Sequence, residues 1–118
     1  MSDKTTYALL IYRVKDSRPG QGAREETLEG HRALQKEAHA AGDLHAVARL
    51  DLPDRVKTVY PDTGVVTDGP FVESKEWLAG FYLVDCATED EAVARARLIC
   101  CDPDHVVVVR PAIWRWQP

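Results

Sequence analysis

Apolar and polar positions in this chain follow two rhythms, one of period two and one near 3.6. Tyr7 to Tyr12 reads Y-A-L-L-I-Y, a short apolar run between polar flanks, which predicts a buried strand. Asp16 to Gly22 carries Pro19, Gly20 and Gly22 and reads as a loop. From Ala23 the period becomes helical. Leu28, His31, Leu34 or Gln35, Ala38 and Ala41 recur every three or four residues along one face. Gly42 is placed to end that helix in a left-handed conformation, where the absent Cβ removes the steric penalty.

The second half returns to strand rhythm. His45 to Leu50 alternates around Val47 and Arg49, and Pro53 interrupts it. Val56–Tyr60 and Val65–Thr67 read as hairpin arms around Pro61-Asp62-Thr63-Gly64. Asp68-Gly69-Pro70-Phe71 makes a tight turn, and Trp77 to Val84 a long central strand. Gly80 inside that strand signals a bulge or a close backbone approach. Thr88-Glu89-Asp90-Glu91 is a capping box, followed by a helix with Ala92, Val93, Ala96 and Ile99 on its apolar face. Val106 to Val109 is a strand expected to be buried on both faces, ended by Arg110-Pro111. The element order predicts one α+β domain over 1–118: a ferredoxin-like split βαβ with an inserted β-hairpin and an antiparallel sheet. Helices then cover one sheet face. The valines and the tail tryptophans Trp114 and Trp116 leave the other face apolar, so a homodimer through the sheet faces is expected.

Composition narrows the function classes. The chain has 118 residues, 45% apolar and 29% charged, with a net charge of -4. That balance suits a core that needs no metal or disulfide, and it offers no basic surface for nucleic acid or membrane. The polar Met1–Thr6 lacks a signal-peptide core and no apolar run has spanning length, so the expected location is the cytoplasm. Cys86, Cys100 and Cys101 are an odd set without a C-x-x-C pair, and read as small buried side chains rather than disulfide or metal partners.

The stretch Val66-Thr67-Asp68-Gly69-Pro70-Phe71-Val72-Glu73-Ser74-Lys75-Glu76 resembles the signature of DGPF-type YCII-related proteins. The N-terminal A-L-L-I-Y, Leu78–Leu83, Asp90-Glu91-Ala92 and the closing Val-Arg-Pro follow in family order. The resemblance implies a ferredoxin-like fold that dimerises into an α/β barrel. The related YCII branch includes enzymes on small ring compounds, a dehydrochlorinase among them, and carries a His–Asp pair. Its histidine opens a helix segment and its aspartate follows the glycine that ends it, which falls here on His31 and on Asp43 after Gly42.

On that pattern His31 is the expected acid or base and Asp43 the group that orients its ring. The plainer reading is a buried histidine satisfied by a local carboxylate or carbonyl. Arg49 is a candidate for binding an anion, against a salt-bridged surface role. Asp68 is first a turn former, bonding amides two residues on, and second a residue bordering a pocket. Tyr12, Trp77 and Tyr82 are core aromatics or the wall of an apolar ligand site. Glu73 and Lys75 read first as surface charges and second as polar groups of a pocket, and His39 and His45 as surface or core-edge residues. Two imaginable metal sets, His31/Asp43/His45 and Cys101/Asp102/Asp104/His105, match no known ligand spacing.

The expected function is a small-molecule enzyme without cofactor, its pocket between sheet and helices, performing elimination, dehydration or isomerisation of a cyclic or aromatic compound. The alternative is a non-catalytic metabolite-binding or dimeric interaction module. A His31 that faces a reachable cavity favours the first.

Overall fold

Ten residues of alternating burial, Thr5–Val14, form the strand β1 at the middle of the molecule. The structure is a computed structural model that describes residues 3–14, 25–70, 76–100 and 103–118. After β1 come α1 (Glu25–Ala40), β2 (Leu44–Arg49), a 3-10 turn at Pro53–Arg55, β3 (Lys57–Val59), β4 (Val66–Asp68), β5 (Glu76–Cys86), α2 (Glu89–Leu98) and β6 (His105–Pro111). The main sheet runs β2-β5-β1-β6 and each neighbouring pair is antiparallel; β3 and β4 form a separate two-stranded ribbon. This is the expected α+β, ferredoxin-like arrangement with an inserted hairpin. The expected loop at Asp16–Gly22 lies outside the described residues, as do Phe71, Glu73, Lys75, Cys101 and Asp102.

Side chains alternate across a strand, so one set of β1 residues faces the helices. Tyr7, Leu9 and Ile11 are buried, with Leu9 opposite Tyr82 and Tyr7 opposite Val84 on β5. Leu34 and Ala38 of α1, Ala92 and Ala96 of α2, and Ile99 just beyond it complete this core. The helices cross closely at Gly30, where an added Cβ would stand 1.7 Å from the Leu98 carbonyl oxygen. Only a residue without a side chain fits there.

The other β1 set, Ala8, Leu10 and Tyr12, points away from the helices. Leu10 lies opposite Phe81 and Val108, and Tyr12 opposite Leu78 and Val106. The valine strand is therefore not buried on both faces within the chain. Val107 and Val109 pack on the core, while Val106 and Val108 are exposed.

Local signals hold with two adjustments. Gly42 ends α1 with φ 74°, and Gly69 adopts φ 97° in the turn after β4. The Glu91 amide donates to Thr88 Oγ1 at 3.0 Å, but Glu91 Oε2 accepts from the Ala87 amide at 3.4 Å, one residue short of a closed capping box. Asp68 does not hold its turn through the amide two residues on, because that residue is Pro70 and has no N–H. Its exposed carboxylate pairs with Lys57 instead. The turn is held by Gly69, whose amide donates to the Val56 carbonyl (2.7 Å) and whose carbonyl accepts from Thr58 Oγ1 (2.6 Å).

Candidate functional site

Between α1 and the sheet lies a cavity of about 340 Å³, near the lower end of the roughly 300–1,000 Å³ usual for ligand pockets. One face of α1 forms its roof with Thr27, Leu28, His31 and Gln35. Ile11 and Arg13 of β1, Val47 and Arg49 of β2, and Tyr82 of β5 form the floor, and His105 closes the β6 side. An irregularity shapes the floor: Ile11 pairs with Gly80 but Tyr12 with Leu78, which leaves Ala79 as an extra residue in the wall. Gly80 also allows β2 to approach, since a Cβ there would meet the Ala48 carbonyl oxygen at 2.6 Å. Both readings of Gly80, bulge and close approach, describe this one place.

His31 is held by Tyr82. Its Nδ1 lies 2.8 Å from the Tyr82 hydroxyl, and the two rings stack at 5.8 Å and 15°. Gln35 Nε2 donates to the same hydroxyl at 3.0 Å. Burial pushes the Tyr82 phenol above its ordinary value, against the smaller effect of the Gln35 bond, so it keeps its proton at neutral pH. A phenol that accepts from Gln35 has its own proton left to give. Donating it to His31 Nδ1 satisfies both groups and leaves the neutral ring's proton on Nε2. Beside this pair, Arg13 is buried and reaches Asp104 at 3.5 Å. Thr27 Oγ1 is buried without a hydrogen-bond partner among the described residues.

Asp43 belongs to a different place. Its carboxylate accepts from Lys4 Nζ at 2.7 Å and from Arg95 Nη2 at 3.1 Å. Burial alone would raise its pKa, but these two cations outweigh it and hold the carboxyl below the usual aspartate value. Arg95, itself buried, also donates to the Asp85 carbonyl (2.7 Å). The expected His31–Asp43 bond is thus not made: each side chain has other partners. The reason is helix length. His31 and Ala40 are separated by about 13 Å of helical rise, so a histidine near the middle of α1 and an aspartate past its end do not meet. A His–Asp pair does occur on other residues, His45 Nε2 to Asp85 Oδ2 at 2.9 Å, and neither lines the cavity.

Of the other expected binding residues, Arg49 lines the cavity. Tyr12 is on the opposite sheet face, Trp77 packs at the core edge and donates to the Val14 carbonyl (3.2 Å), and Asp68 lies on the hairpin. The thiols separate: Cys86 is buried, and Cys100 is exposed rather than buried as expected. Among the described residues no three His, Cys, Asp or Glu side chains converge on a point that would hold a metal ion, and no helix is long and apolar enough to cross a membrane. Arg13, Thr27 and Gln35 were missed as site residues. Arg13 carries a legible signal, a charge in the inward phase of Tyr7, Leu9 and Ile11. Gln35 carries another, four residues after His31 on the same helical face.

The family model described as YCII-related domain matches residues 5–115. The chain is also similar to an uncharacterized protein of Rhizobium meliloti (strain 1021), 39% identical over 95 residues that make up 77% of each chain.

Proposed function

Given that this chain belongs to the YCII-related domain family, we propose that it is a small-molecule enzyme whose cavity under α1 holds a cyclic or aromatic compound and whose His31 stabilises the charge that its proton-transfer chemistry creates. The observation that carries this is the His31 ring on the cavity wall, fixed at one nitrogen by Tyr82. With Nδ1 held as an acceptor, the neutral ring acts through Nε2–H as a hydrogen-bond donor to the oxygen that gains negative charge, while water or hydroxide from solvent takes the proton lost from the neighbouring carbon. Elimination, dehydration and isomerisation all pass through such a species, and none needs a cofactor. Tyr82 takes the orienting role expected of Asp43, and Asp43 serves the fold.

Hydrogen–deuterium exchange tests this without knowledge of the full reaction. Cyclic ketones and lactones in D₂O, followed by proton NMR, should exchange their α-protons faster with the protein than in buffer. His31→Gln should remove that acceleration and lower the melting temperature by only a few degrees. Exchange that survives in His31→Gln overturns the assignment of His31, and exchange no faster with the wild type than in buffer leaves a non-catalytic binding module as the better reading.

The same proposal includes a homodimer through the open sheet face. Leu10, Tyr12, Phe81, Val106 and Val108 make that face apolar, and Trp114 and Trp116 are 76% and 70% exposed. An apolar surface of this kind is costly in water unless covered. Sedimentation at micromolar concentration should give twice the chain mass; a monomer mass rejects this part.

A further inference from the structure

We propose that the ligand of the cavity is a small cyclic carboxylate, its carboxylate held at the Arg49 and Thr27 side and its ring against Ile11, Leu28 and Val47. This deepens, and rests on, the reading of the cavity as a small-molecule site. The chain carries 19 acidic against 15 basic residues, yet none of the described residues lining the cavity is Asp or Glu, while two are arginines and two histidines. With Arg13 met by Asp104 and the histidines neutral, Arg49 on a wall without carboxylates supplies the local positive charge that selects an anion.

Three features sharpen the anion's chemistry. Arg49 makes no ion pair with a described carboxylate, unlike Arg13, which meets Asp104 at 3.5 Å. Its planar fork matches a carboxylate, bound through two parallel N–H donors. Thr27 lines the same cavity, and its Oγ1 is buried with no partner among the described residues. A buried hydroxyl left so costs about 1–3 kcal/mol, which a ligand oxygen accepting from it would relieve. The tautomer set by Tyr82 adds His31 Nε2–H as a further donor. Ile11, Leu28, Val47 and Ala79 make an aliphatic part of the remaining wall, which suits an apolar body that a ring carboxylate has and a free inorganic anion lacks.

The experiment compares benzoate, cyclohexanecarboxylate, the uncharged benzamide and inorganic phosphate by NMR titration of the labelled protein. Three proteins are used: wild type, Arg49→Gln and Thr27→Val. Wild type should bind the two carboxylates about tenfold more tightly than benzamide, the size of one charge-assisted hydrogen bond, and phosphate should bind more weakly than either. Arg49→Gln should abolish the preference for benzoate over benzamide, with benzamide affinity unchanged; Thr27→Val should reduce it in part. Benzamide binding as tightly as benzoate, phosphate matching benzoate, or a preference that persists in Arg49→Gln each overturns the assignment of a carboxylate. Benzamide binding with His31-dependent deuterium exchange intact leaves the small-molecule reading standing. No shift of cavity resonances by any probe at millimolar concentration, with no exchange, removes both.

Discussion

The two ends of α1 use charge in opposite ways. Along its first half, His31, Arg49 and the hydroxyls of Thr27 and Tyr82 line open space. Past its end, Asp43, Arg95 and Lys4 close on one another, and Asp43 and Arg95 are both buried. A buried charge met by an opposite charge is held in one geometry, and removing either partner leaves the other stranded. Polar groups around a cavity are not locked in that way and can answer to a ligand. One helix therefore separates a structural cluster from a candidate chemical site, and residue type alone does not tell them apart, since each end has one expected catalytic residue.

The comparison breaks first if the helix itself moves. Gly30→Ala puts a Cβ 1.7 Å from the Leu98 carbonyl oxygen, so α1 must lift from α2. A loss of about 3 kcal/mol is expected in chemical denaturation, together with loss of ligand binding in any fraction that folds. An unchanged denaturation midpoint would mean the crossing is looser than described. Asp43→Asn comes next. It removes the buried carboxylate between Lys4 and Arg95, leaving Arg95 to the more distant Glu37 and Glu91 (3.7 and 3.6 Å), and should cost about 3 kcal/mol in stability, with no selective loss of the His31-dependent exchange. Loss of exchange at full stability would restore Asp43 to the site.

Acid titration separates the ends more finely. The Asp43 carboxyl is held below its unfolded value, so its contribution to stability is present above the ordinary aspartate pKa of about 4 and fades as pH falls through the lower folded value. Thermal melts of the wild type should drop as pH goes below about 4, and Asp43→Asn should show a shallower drop. Asp85, also held low by Thr6 and His45 against the raising effect of burial, keeps part of the slope in the variant. Equal slopes would deny Asp43 its depressed pKa. The smallest stability change belongs to His31→Gln, about 1 kcal/mol from the lost Tyr82 bond, read by calorimetry beside the complete loss of exchange. A stability loss equal to that of Asp43→Asn would place His31 among the structural charges.

Much of the fold was legible because its signals are local. The alternation from Tyr7 to Tyr12, the Gly42 helix end, the Thr88 cap and the Pro61–Gly64 turn all depend on neighbours a few residues away, and each element formed within a residue or two of its expected span. The valine strand shows the limit. Four apolar residues in a row cannot say which of them meets the core, and only pairing with β1 put Val107 and Val109 inside. Gly30 gave no sign either, because a glycine inside a helix marks a close approach only when the approaching backbone, Leu98 of α2, is known.

What the sequence by itself determined is the set of elements, their order and the inward faces carrying His31 and Arg13, since periodicity and turn chemistry are properties of adjacent residues. What the tertiary structure alone decided is partnership. His31 meets Tyr82 from 51 residues away and Asp43 meets Arg95 from 52, contacts set by which strand lies beneath which turn of a helix. Two residues twelve apart looked like one site because a chain read in one dimension does not show that a helix keeps its two ends apart.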